Sequence, residues 1–144
     1  MAPMAAKSKP LSVRISADTV ELIAAEANRT HRSKGAVIEG LAEEALRTRM
    51  YPGIAFRGED WDRRPWVIGT SFDVWQIVDA HRDVGSVEAI VAEGNLSERT
   101  VRLALAYHER FPAEIEEAIA RNRRPLKELR AAYPFIDAPP GANQ

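Results

Sequence analysis

The chain contains no cysteine, so disulfide bonds and thiol chemistry are both excluded, a usage that suits a reducing cytoplasm. Nowhere do apolar residues run on toward the ~18 needed for a membrane span, and the N-terminus lacks the apolar core of a secretory signal. Histidine is scarce: His31, His81 and His108 stand apart, without the spacing of metal ligands. There is no phosphate-binding glycine loop and no nucleophile elbow, and Glu43 and Glu44 read as an exposed helix face rather than an acid/base dyad. These gaps argue against catalysis, and no cofactor or metal is expected. Net charge is missing too. With 20 basic and 21 acidic side chains the formal charge is −1, which argues against indiscriminate binding of polyanions. The balance hides an asymmetry, because residues 1–16 carry Lys7, Lys9 and Arg14 and no acid.

What is present is organised around Leu11-Ser12-Val13-Arg14-Ile15-Ser16. Alternation with period two puts Leu11, Val13 and Ile15 on one face of a strand and Ser12, Arg14 and Ser16 on the other. No second strand-like run occurs within the next thirty residues, so this strand cannot satisfy its backbone within its own unit. A second copy of the chain, pairing antiparallel across a two-fold axis, is the simplest partner. Val20, Ile23, Ala24 and Ala27 then recur at helical spacing, with Ser16 or Asp18 as N-cap, predicting a first helix over residues 17–29. Ser33 caps a second, whose stripe is Val37, Ile38, Leu41, Ala42, Ala45 and Leu46 and which ends near Met50. So small a unit buries too little to fold alone, which again calls for a dimer with Leu11, Val13, Ile15, Ile38 and Leu41 in its core.

Residues 9–50 resemble the ribbon-helix-helix family of DNA-binding proteins, the group of MetJ, Arc and CopG, through the PLSVRIS strand, the two helix lengths and the R-S-K-G-A-V-I turn. The resemblance implies an intermolecular two-stranded ribbon in the DNA major groove. By position, Ser12 and Arg14 would face base edges, where an arginine fork matches the O6 and N7 acceptors of guanine. Lys9, at the ribbon's edge, and Ser33, Lys34 and Gly35, at the start of the second helix, would hold phosphates.

From Tyr51 the texture changes. Ile54-Ala55-Phe56-Arg57 and Pro65-Trp66-Val67-Ile68 predict a β-hairpin, with Gly69-Thr70 turning out of it. Four helical segments follow. The first carries Val74, Trp75, Ile77 and Val78; the second is capped by Ser86 and carries Val87, Ile90 and Val91. The third is capped by Ser97 and packs Val101, Leu105 and Leu103; the fourth begins at Pro112 with Ile115, Ala118 and Ile119 inward. The second and third, separated by Gly94-Asn95, form a homeodomain-like helix-turn-helix pattern that exposes Glu98, Arg99 and Arg102. Between Tyr51 and Arg124 there are thirteen acids and ten bases, a balance that opposes a phosphate surface and favours a protein-binding or dimer-supporting role.

Gly53 to about Arg123 resembles a bacterial family known only as a domain of unknown function, through R-P-W-V-I-G-T, D-V-W-Q-I-V and L-S-E-R-T-V-R-L-A-L-A-Y-H. Members are described as antitoxin-like and are often encoded beside a PIN-like ribonuclease. They carry an arginine after the G-T turn; Ser71 stands there in this chain, so no role of that arginine transfers. Residues 1–8 read as a flexible basic arm, and residues 125–144 as a short helix giving way to a flexible tail. Trp61 of the hairpin and Leu129, Tyr133 and Phe135 of the tail are candidates for gripping a toxin.

The fold expected is therefore mainly α: a ribbon-helix-helix unit over 9–50, then a hairpin and helix-turn-helix domain over 51–124. The function expected is a cytoplasmic, homodimeric transcriptional repressor that binds operator DNA and serves as the antitoxin of a type II toxin-antitoxin operon. The rival readings are a protein-neutralising module whose DNA contact is secondary and a stand-alone transcriptional regulator.

Overall fold

A computed structural model of the chain describes residues 9–123. Residues 9–16 form no regular secondary structure and run into α1 (Ala17–Thr30), where Ser16 Oγ accepts the Thr19 N–H at 3.3 Å. His31 adopts a left-handed conformation (φ 54°), and the Arg32 N–H returns to the Ala27 carbonyl at 3.1 Å, closing the helix. The chain turns directly into α2 (Lys34–Met50), whose N-cap Ser33 accepts the Ala36 N–H at 3.1 Å.

Strands β1 (Ile54–Arg57) and β2 (Arg64–Val67) pair antiparallel with Ile54 opposite Val67 and Arg57 opposite Arg64. Gly58 is required in the connecting loop: at φ 109° a Cβ would lie 2.3 Å from the Asp62 carbonyl oxygen. Four helices follow, α3 (Val74–Val84), α4 (Val87–Ala92), α5 (Glu98–Arg110) and α6 (Pro112–Asn122). Serines cap α4 and α5 as expected, and Gln76 Oε1 accepts the Asp73 N–H at 2.8 Å at the start of α3.

The core belongs to the second half of the chain. Ile54, Val67, Val74, Ile77, Ile90, Val101, Tyr107 and Ile115 form one buried cluster, whereas α1 and α2 bury only Ala27 and Val37. Two details depart from the sequence expectation. The second strand is Arg64–Val67, leaving Ile68 outside it and 54% exposed. In α5 the innermost residues are Val101, Ala104 and Tyr107, spaced three apart on the face packed against α3, while Leu103 and Leu105 flank that face half-buried. In α2 the stripe residues Ile38, Leu41 and Leu46, of which Ile38 and Leu41 were expected in a dimer core, are exposed in this single chain, and nothing among the described residues covers them.

Two polar clusters fasten the layers. Asp73, 5% exposed, accepts Arg57 Nε at 2.8 Å and Arg64 Nε at 2.9 Å, tying both strands to the start of α3. Tyr107 donates its hydroxyl to Glu114 Oε1 (2.6 Å) and accepts from Arg47 Nη1 (2.9 Å), and Arg47 reaches the same carboxylate (2.7 Å), which joins α2 to α5 and α6. Burial and the Glu114 contact push the Tyr107 hydroxyl above its ordinary range.

Two residues beyond Glu114 in α6, Glu116 is bonded by Arg82 and by His108 Nε2 (2.6 Å), and these partners lower its pKa from 4.5 to about 2. A depressed carboxylate contributes stability that is complete above pH 4.5 and is lost as pH falls toward 2. Melting curves over that interval should show a falling midpoint, and Glu116→Gln should remove part of the fall; the effect is modest because the side chain is 44% exposed. An unchanged pH profile in the variant would contradict this.

Candidate nucleic-acid interface

The first helix pair brings the expected phosphate-holding residues to one turn. Ser33, Lys34 and Gly35 are all exposed where α2 begins, and a Cβ at Gly35 would meet nothing within 4 Å, so the first amides of α2 are open to an anion. The Ser33 hydroxyl is already engaged as the cap, which makes it a positioning group there as well as a candidate donor. Lys9, Ser12 and Arg14 are exposed on the segment leading into α1.

The expected ribbon is not formed by one chain. Residues 9–16 have no ladder partner, and the residues assigned to a dimer core are open to solvent: Leu11 is 87% exposed, Val13 62%, Leu41 51% and Ile38 39%, with Ile15 half-buried. An extended segment needs a second edge, and among the described residues the only paired strands are engaged with each other.

Charge pairing separates the two halves. Seven of the nine arginines between Tyr51 and Arg123 lie within 4.0 Å of a carboxylate. Among the described residues, Lys9, Arg14, Arg32 and Lys34 have no carboxylate partner; Arg32 instead donates to the Ala36 carbonyl at 3.1 Å. In the α4–α5 pair Arg99 is left without a carboxylate within 4.0 Å among the described residues. Glu98, Arg99 and Arg102 are exposed as expected, but Glu98 holds Arg102 at 2.8 Å.

Between α1, α2 and the hairpin lies a groove of about 360 Å³ lined by both signs of charge. Arg29 bridges to Asp60 across it, Arg63 reaches Glu44 at 2.8 Å, and Val37 and Phe56 line its apolar wall. Trp61, beside Asp60, is 85% exposed. Leu129, Tyr133 and Phe135 lie outside the described residues.

Sequence reasoning missed Asp73, Tyr107 and the Arg29–Asp60 bridge. The first was detectable as an Asp three residues before Gln76 at a helix start; the other two depend on contacts between residues 31 and 60 positions apart. Among the described residues no group of His, Asp or Glu is placed to hold a metal ion, and no helix is long and apolar enough to cross a membrane. Compared with protein-family models, curated proteins and solved structures, the chain matches none.

Proposed function

We propose that this chain is a homodimeric, sequence-specific DNA-binding repressor, acting in the cytoplasm as the antitoxin of a type II toxin-antitoxin operon. The observation that carries the reading is the coincidence, on residues 9–16, of exposed apolar side chains at alternate positions with an Arg14 that has no carboxylate partner among the described residues. Two copies would pair these segments, bury Leu11, Val13 and Ile15 with Ile38 and Leu41 beneath, and turn Ser12 and Arg14 toward base edges. Lys9 and the amides at Lys34 and Gly35 would take phosphates on either side.

Base readers and phosphate holders differ in what their loss does. Arg14→Ala is expected to leave the dimer intact and weaken operator binding by roughly 1–3 kcal/mol per half-site, with little effect on random DNA. Lys34→Ala is expected to weaken all DNA alike and to reduce the salt slope by about 1. Titrations of both variants against DNA from upstream of the gene and against scrambled DNA check this; equal affinity of Arg14→Ala and wild type for both probes would remove the reading.

The exposure of Trp61 favours a second role for the same protein, neutralising a toxin of PIN-like ribonuclease type through the hairpin loop. Co-purification with the product of the neighbouring gene tests it. Loss of that complex, with DNA binding spared, on deleting residues 125–144 would assign the grip to the tail.

A further inference from the structure

We propose that the Asp60 carboxylate, carried on the β1–β2 loop, occupies Arg29 in place of a DNA phosphate, so that the loop competes with nucleic acid for the N-terminal unit. The inference rests on the DNA-binding reading above.

Arg29 presents a two-pronged edge. Its Nη1 donates to Asp60 Oδ2 and its Nη2 to Asp60 Oδ1, each at 3.1 Å, the fork geometry that a guanidinium offers equally to carboxylate and phosphate. Glu26, three residues back on α1, pairs with the other edge, taking the Nε at 3.0 Å and also Nη2, so it fixes the direction in which the fork points and leaves the Nη1–Nη2 edge to Asp60. The loop is held in place from its other side. Arg63 donates to the Phe56 and Gly58 carbonyls at 3.1 and 3.0 Å and to Glu44 of α2 at 2.9 Å, and the Asp62 N–H closes a turn on the Glu59 carbonyl at 2.9 Å.

The position matters because Arg29 lies four residues before Ser33, on the turn that delivers Arg32 and Lys34 to the start of α2. Asp60 faces the charges of Arg29, Arg63 and Arg32 together, and its pKa is lowered by them, the Arg29 hydrogen bond first. Both partners are well exposed, 57% for Arg29 and 41% for Asp60, so the bridge contributes little to folding and exchanges readily for another anion. An approaching duplex therefore meets a cation already neutralised and a carboxylate that repels it.

The test uses the full chain and a mixed-sequence DNA duplex, with fluorescence anisotropy over a series of salt concentrations. Asp60→Asn is expected to bind roughly threefold to tenfold tighter at low salt, with a salt slope steeper by about 0.9 for each protomer, one extra phosphate contact. Asp60→Ser should behave alike, and Glu59→Gln should match wild type. In the Arg29→Gln background the Asp60 substitution should bring no gain. Melting midpoints equal to wild type confirm that each variant is folded. Wild-type affinity and slope in both Asp60 variants, or a gain that survives Arg29→Gln, would overturn the competition and leave the repressor reading standing. Failure of wild type and variants alike to bind the duplex at low salt would overturn both.

Discussion

Val13→Asp is expected to give a folded monomer that no longer binds DNA. Val13 is 62% exposed and makes no contribution to the buried cluster, all of which comes from residues 54–119, so one chain loses nothing when it is replaced. In the proposed dimer the same position is buried against its symmetry mate. Each lost valine costs about 2 kcal/mol of apolar burial, and the two-fold axis doubles it. A buried carboxylate adds a desolvation penalty. Together these raise the dimer dissociation constant by roughly a thousandfold or more. Sedimentation velocity should show the protomer, circular dichroism an unchanged helix content, and duplex titration no binding. A dimer that survives the substitution would show that these segments do not meet.

Tyr107→Ala is expected to be the most damaging single change in the second half of the chain. The ring is fully buried between Tyr51 and Phe111, with centroids 5.6 and 5.0 Å away, and truncating it costs about 3–5 kcal/mol. The hydroxyl adds a further effect, because its loss deprives Arg47 and Glu114 of a shared partner on a part-buried joint. Tyr107→Phe isolates that part, at about 1–2 kcal/mol. The alanine variant should melt about 10 °C or more below wild type, the phenylalanine variant only a few degrees below. Because Arg47 belongs to α2, the phenylalanine variant should also loosen the first unit, seen as faster amide exchange along α2 than along α3. An alanine variant that melts with wild type would mean that the ring is not part of the core.

Five of the six helices described were legible because each carries its own local start. Ser16, Ser33, Ser86 and Ser97 all accept a backbone N–H at the third residue on, and Pro112 opens α6. A cap is a contact between residues three apart, so reading it needs no knowledge of the fold. Inward faces were legible where one side of a helix is packed, as with Ile115, Ala118 and Ile119 of α6. In α2 the stripe expected in a dimer core lies open in this single chain, with Ile38, Leu41 and Leu46 exposed.

The candidate interface divides along the same line. That Ser12 and Arg14 share a face, and that Ser33, Lys34 and Gly35 open a helix, follows from the period of a strand and the position of a cap. Which cations are left to meet an anion does not. Arg29 and Arg32 look alike in sequence, three residues apart; the first is held by Glu26 on its own helix and by Asp60 from 31 residues away, and the second has no carboxylate partner among the described residues.

Sequence alone determined most of the helix starts, the hairpin and the lone alternating segment near the start, since these are set by interactions within a few residues. Only the tertiary structure decided that the main buried cluster spans residues 54–119, that α2 is joined to it through Arg47, Tyr107 and Glu114, and which charges are already spent. Burial and charge pairing are properties of neighbours in space, and chain closure brings those neighbours together from any distance along the sequence.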